Sequence, residues 1–190
     1  MAAEAEASAV QLADPIADRI RTGAYRDAVA MCAREHGAAL GRLCMAMLGD
    51  QGEAEETVQE ALIAAHDGMA SYRGEGSVRA WLCGIARRLC ARRIETRVRR
   101  ERKLRLVHDA GGDGAGLPDD VVERRRRAFI VRAALDELKP SERDAVLLRY
   151  EAGLSYREIG EACGIDEAAA RKRASRALSR LREVLKHEVQ

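Results

Sequence analysis

Residues 154–178 read LSYREIGEACGIDEAAARKRASRAL, and the fold is decided in this stretch. Ser155 and Glu158 stand three apart, the spacing at which each satisfies an orphan backbone N–H of a helix's first turn. Gly164 follows Cys163 as the residue that takes a left-handed conformation where a helix stops. Ile165 then packs into the corner, and Asp166 is placed to cap another helix. A short helix, a tight glycine turn and a longer basic helix are the layout of a helix-turn-helix.

The longer helix divides cleanly into faces at about 100° per residue. Ala170, Ala174, Ala177, Leu178, Leu181 and Leu185 fall on one apolar side. Lys172, Ser175, Arg176 and Ser179 fall opposite, flanked by Arg171 and Arg173. One side docks on its own domain and the other offers groove and phosphate donors, as a recognition helix requires. A merely solvated basic face is the alternative, and the caps and the glycine turn favour DNA binding. Upstream, Pro140-Ser141 starts the preceding helix, with Ser141 read as its N-cap.

Working outward, residues 109–118 hold four glycines and a proline and read as a flexible linker over 106–120. It divides a first block, 14–105, from a second, 121–190, with residues 1–13 an Ala/Glu-rich disordered N-terminus. Asp14-Pro15 gives a cap followed by proline at the first helical position. Good helix formers dominate, and alternating or β-branched stretches are few, so the chain is all-α. Net charge is only +2, but it is patterned. Arg87 to Arg105 is dense in basic residues, opposed only by Glu95 and Glu101, whereas Asp50 to Glu60 carries five acidic residues and no basic one. Separated surfaces of this kind suit one anionic partner and one protein partner.

In the first block Ala54, Val58, Ala61, Leu62 and Ala65 share an inward face, and Glu56, Gln59, Glu60 and Ile63 share the outward one. An isoleucine centred among charges reads either as a docking anchor or as an incidental exposed residue. The next helix, about Val78 to Ile94, sets Val78, Trp81, Leu82, Ile85, Ala86 and Leu89 toward the core. Arg79, Arg87, Arg88 and Arg92 lie elsewhere and can track a phosphate backbone. Before it, the loop Ser71 to Ser77 is open enough to approach an unstacked base, and Tyr72 is either a stacking platform or a core aromatic.

No apolar run approaches the roughly 20 residues of a membrane span, and the acidic N-terminus is unlike a signal peptide. The expectation is a cytoplasmic protein with reduced cysteines. Cys32, His36 and Cys44, or Cys83 and Cys90, fit no common zinc spacing, so the cysteines read as buried and structural. No constellation supports an enzyme.

Together these residues resemble the extracytoplasmic-function sigma factors. Residues 54–60, AEETVQE, are similar to the family's region 2 stretch that grips the polymerase clamp helices. Residues 71–77, SYRGEGS, followed by 78–87, VRAWLCGIAR, resemble its Phe-Arg-Gly loop and the helix after it. Residues 154–165 and 173–178 resemble region 4. Nothing recognisable as region 3 lies between. Departures include Glu56 for Asp, Tyr72 for Phe, Arg88 for Asn, Ala169-Ala170 for Thr-Val and Lys172 for Ser.

The resemblance implies two small helical domains and three sets of contacts. Core RNA polymerase would be bound through its clamp helices and flap, the former by Glu56, Gln59, Glu60 and Ile63. The −10 element, as single strand, would meet Tyr72, Arg73, Gly74, Ser77, Arg79, Arg87, Arg88 and Arg92. The −35 duplex would meet Ser155, Tyr156, Arg157, Arg171, Lys172, Arg173, Ser175 and Arg176. It implies no cofactor, metal or small-molecule substrate, and control by an anti-sigma factor, since the chain ends soon after region 4. The alternatives are an ordinary helix-turn-helix regulator and a sigma-like interaction protein without promoter activity.

Overall fold

A computed structural model describes residues 14–74, 76–105 and 130–188, which are helical wherever they are regular. Helix α1 (Pro15–Arg21) starts as expected: Asp14 Oδ1 accepts from the N–H groups of Ile16 and Ala17, and Pro15 occupies the first turn. Helices α2 (Tyr25–Leu48) and α3 (Gln51–Gly68) form an antiparallel pair hinged at Gly49-Asp50. Asp50 caps α3 by accepting from Glu53 N. A 3₁₀ turn, Met69–Ser71, leads through the loop to α4 (Val78–Arg105), which packs across α2 and α3.

The second half begins, among the described residues, with helical residues 130–136. Helices α5 (Pro140–Tyr150), α6 (Tyr156–Cys163) and α7 (Glu167–Glu188) follow. The capping box of α6 is present: Glu158 N donates to Ser155 Oγ, and Ser155 N donates to Glu158 Oε2. Gly164 ends α6 at φ 66°, and Asp166 Oδ1 caps α7 through Ala169 N. The α6–α7 corner is tight. A Cβ on Gly160 would lie 2.6 Å from the Ile165 carbonyl oxygen, so glycine is what lets the turn fold back. Two expectations are corrected: α4 runs on past Ile94 to Arg105, and the N-cap position of α5 is Lys139, which makes no side-chain cap, not Ser141. Pro140 fills the first helical position and moves the boundary two residues earlier.

The expected apolar stripes form the core. Ala54, Ala61 and Ala65 are buried on α3, with Val58 and Leu62 half-buried. Ala170, Ala174 and Ala177 are fully buried on α7, with Leu178 and Leu181 packed beside them. On α4, Val78, Leu82, Ile85 and Ala86 are buried, but Trp81 is only half-buried. Its ring instead carries Tyr72, 5.0 Å away between centroids.

The two halves pack against each other. Helix α6 lies on α4, α5 meets α2, and a single apolar cluster runs through both. The linker, and the protease-sensitive stretch expected between Val107 and Asp120, lie outside the described residues.

Candidate polymerase and promoter surfaces

On α3 the outward face forms as the periodicity predicts. Ile63 is 63% exposed, with Glu56, Gln59 and Glu60 exposed around it. The two carboxylates are held from behind. Arg93 of α4 donates to Glu56 Oε2 at 3.1 Å and to Glu60 Oε1 at 2.6 Å. These hydrogen bonds, foremost the one to Glu56, hold the guanidinium pKa above its usual value. Arg93 was absent from the sequence-derived set because its partners are 37 and 33 residues away. A groove of about 610 Å³ adjoins this face between α2 and α3, bordered by Gly37, Gly41, Met45, Val58 and Gln59.

At the other end of α4 the loop closes on itself. Tyr72 Oη donates to the Gly76 carbonyl at 2.6 Å and its ring leans on Trp81. The ring is half-buried and lines a cleft of about 330 Å³ with Ser71, Arg73, Ser77 and Trp81. Gly74 is exposed with φ 71°, a backbone that favours glycine. Ser77 Oγ caps α4 through Ala80 N.

The arginines expected to follow a phosphate backbone do not share one environment. Arg88 and Arg92 are exposed on α4, as is Arg73 in the loop. Arg79 donates to the Ala152 carbonyl, and Arg87 pairs with Asp144 of α5 at 2.9 Å, with side chains 21% and 13% exposed. Ser77 is likewise engaged by the second half, its hydroxyl donating to Glu158 at 2.8 Å and its N–H to Glu161 at 3.1 Å. None of these long-range partners has a local sequence signal.

The helix-turn-helix presents its basic face outward. Arg171, Lys172, Ser175 and Arg176 are exposed on α7, and Ser155 and Arg157 on α6. Arg171 pairs with Glu167 at 2.5 Å and lies over the Tyr156 ring, which Arg149 also approaches. Arg173 is half-buried, turned toward the Asp144 side of the domain.

Burial dominates the ionisation of the interior. It pushes the Cys32 thiol up to about 11 and that of Cys83 to about 12. Cys44 and Cys90 are buried together, and the half-buried Cys163 thiol is raised by desolvation. No helix among the described residues is long and apolar enough to cross a membrane.

Comparison with known proteins fits this geometry. Residues 32–100 match the family described as Sigma-70 region 2, and residues 123–181 match Sigma-70, region 4. Region 2 followed by region 4 on one chain defines a sigma-70-type protein. ECF RNA polymerase sigma factor SigC of Mycobacterium tuberculosis is 32% identical over 138 residues, 70% of each chain. EcfG of Rhodopseudomonas palustris is 31% identical over 150 residues, 77% of this chain and 78% of that one. Against SigE of Mycolicibacterium smegmatis identity is 32% over 153 residues, and the chain spans 59% of that relative's length. The sigma factor RpoE of Bartonella quintana, solved with the anti-sigma factor NepR, aligns at TM-score 0.57 and 26% identity, covering 78% of this chain and 90% of that one. CnrH, solved with the cytosolic domain of CnrY, shares the fold at TM-score 0.66 and 20% identity, over 90% of this chain and 96% of that one. The chain belongs to the extracytoplasmic-function RNA polymerase sigma factors.

Proposed function

We propose that this protein brings core RNA polymerase to a promoter and opens it, the polymerase itself doing the chemistry. What carries the reading is the pairing, in one chain, of a region 2 block with an exposed Ile63 face and a region 4 helix-turn-helix with an exposed basic face. Ile63 supplies the apolar anchor at the clamp helices, rimmed by Glu56, Gln59 and Glu60, and Arg93 holds two of those carboxylates in place.

Strand capture falls to the cleft at Tyr72. A base unstacked from the −10 element stacks on the aromatic pair, while Arg73, Arg88 and Arg92, joined by Arg79 and Arg87 once they are released, neutralise phosphates. Ser77 and the open backbone at Gly74 give donors and close approach. At the −35 element α7 enters the major groove. Arg176 reads guanine bidentately, Arg171 contacts phosphate, and Lys172 extends a longer arm than the family's serine. Ser155, Tyr156, Arg157, Arg173 and Ser175 complete that contact.

The working boundaries are 14–105 for the polymerase and −10 domain and 121–190 for the −35 domain. The protein acts in the cytoplasm. An anti-sigma factor as its regulator is supported by relatives solved in such complexes. Run-off transcription with core polymerase is the test. Promoter-specific product supports the reading, whereas duplex binding without transcription favours an ordinary helix-turn-helix regulator.

A further inference from the structure

We propose that Cys44 of α2 and Cys90 of α4 form an oxidisable dithiol, which a small peroxide converts into a disulfide tying the two helices together inside the first half. The site stands apart from the polymerase and promoter surfaces. All five cysteines are free, and four of them are buried. Among the described residues only Cys44 and Cys90 meet thiol to thiol, the Cys90 S–H donating to the Cys44 sulfur.

The fold brings the two together. Helices α3 and α4 run antiparallel, since Arg93 reaches Glu60 and Arg97 reaches Glu53. Helix α2 is antiparallel to α3 as well, so α2 and α4 run the same way. Arg97 sets their register by giving two guanidinium nitrogens to the Leu48 carbonyl, at 3.3 and 3.4 Å. One turn back from Leu48 on α2 is Cys44, and two turns back from Arg97 on α4 is Cys90. The long arginine arm spans the difference. Neither cysteine has any solvent exposure, and both belong to the apolar cluster.

Burial alone leaves a thiol inert. Cys32 and Cys83 show this, with burial pushing their thiols up to about 11 and about 12. Cys44 is buried too, yet the hydrogen bond from Cys90 outweighs burial and holds its thiol below the usual value, helped by the charge of Arg93. The same bond and burial push the Cys90 thiol up. The pair therefore sets a nucleophile beside a thiol that can resolve it.

The chemistry balances. The Cys44 thiolate attacks the O–O bond of hydrogen peroxide, keeps one oxygen as a sulfenic acid and releases hydroxide, which takes up the proton Cys44 lost. The Cys90 sulfur then displaces the sulfenic oxygen, and that oxygen leaves as water with the Cys90 proton. The two sulfurs give up two electrons, and the peroxide accepts them as it becomes two waters. A bulky disulfide oxidant has no path to sulfurs without exposed surface. A small peroxide needs only a brief local opening.

The test is disulfide mapping of the reduced full-length chain after treatment with hydrogen peroxide, trapping with N-ethylmaleimide and digestion without reductant. The linked Cys44 and Cys90 peptides should exceed every other linked pair by at least about tenfold, because groups held in contact react at high effective concentration. Dithiothreitol should reverse the link, and oxidised glutathione should form little of it. The linked chain should unfold about 5 °C or more above the reduced one. Cys90→Ala should abolish the link, whereas Cys83→Ala, on the same face of α4, should leave it. Linkage no more abundant than other pairs, or oxidation that stops at the half-exposed Cys163, overturns the dithiol. Equal linkage by oxidised glutathione overturns the choice of a peroxide. A linked chain that melts no higher than the reduced one is strained by its own bond, and the pair is then no built site. If Cys90→Ala loses helicity, the wild-type map decides alone.

Discussion

The docking face of α3 and the strand-capture end of α4 belong to one helical block, yet they meet solvent in opposite ways. Ile63 stands open, and the carboxylates beside it are steadied by Arg93 from within the same block. Ser77, Arg79 and Arg87 give their donors to the other half of the chain. The basic face of α7 is open as well. On the proposed assignments, the surfaces for polymerase and duplex stand exposed, and donors of the surface for single strand are engaged within the chain. That order is physically sensible. Single strand exists only after polymerase has been recruited, and an open basic platform would meanwhile bind nucleic acid without sequence preference.

The contrast is broken most directly at Arg87 and Asp144. Their pair is largely buried, and burial raises the Asp144 carboxyl pKa even though Arg87 pulls it down. Arg87→Ala would leave Asp144 buried and unpaired, a loss of about 3–5 kcal/mol. The cheapest escape is to open the contact and hydrate the carboxylate. Scattering should show Arg87→Ala expanded and Arg87→Ala/Asp144→Ala largely compact again. A compact single variant means that the pair does not hold the halves together.

On the exposed side the expected effect is on affinity alone. Ile63→Arg should leave the unfolding midpoint of the free chain within about 0.5 kcal/mol of wild type, because the residue is mostly in solvent. Its affinity for core polymerase should fall by about 2 kcal/mol or more, roughly thirtyfold, as for an apolar anchor at the centre of an interface. Titration of labelled core polymerase measures it, and unchanged affinity removes the docking assignment from this face.

The −35 surface sharpens the comparison, because it should work before the halves part. The free chain should bind −35 duplex while binding single strand poorly. Arg176→Ala should cost about 1–3 kcal/mol on the preferred duplex and relax selectivity at one position. Arg171→Ala should weaken all duplexes alike and lower the salt slope by about one. A library of duplexes randomised at the −35 positions reads both, and an even loss for Arg176→Ala would show that another residue reads the base.

What could be read in the sequence was local. The capping box of Ser155 and Glu158, the stop at Gly164, the Asp166 cap and the alanine stripe of α7 all concern residues a turn or two apart. The misplaced boundary at Ser141 turned on a proline that fits the first helical position better than a cap. What could not be read was every pairing between distant segments. Arg93 with Glu56, Arg87 with Asp144 and Ser77 with Glu158 are separated by 37, 57 and 81 residues. Arg87 and Ser77 were expected from the sequence to meet the −10 strand. Their present partners were not, because periodicity says which face a residue occupies and nothing about what covers that face.

The smallest expected effect is on pH. Partial burial works to raise the Glu158 carboxyl pKa, but hydrogen bonds from the Ser155 N–H and from the Ser77 and Ser155 hydroxyls hold it below its ordinary value. A folded value below the unfolded one, about 4.3, means that ionised Glu158 stabilises the closed chain above that pH. The stabilisation is lost as the pH falls through the folded value. Asp144 has the opposite sign. Burial sets its folded value above the unfolded one, about 3.9, so its protonation relieves the cost of a buried charge. Protonation of Asp144 therefore contributes favourably to the closed chain and protonation of Glu158 unfavourably. Because Glu158 is partly exposed, its share should be about 0.2–1 kcal/mol. Unfolding free energies of wild type and Glu158→Gln should differ by that amount at about pH 7, and converge as the pH falls below the folded value and wild-type Glu158 takes up its proton. A gap that persists unchanged into acid would mean that Glu158 holds the closed chain by shape rather than by charge. That result would separate the latch at Arg87 and Asp144 from the contact at Ser77.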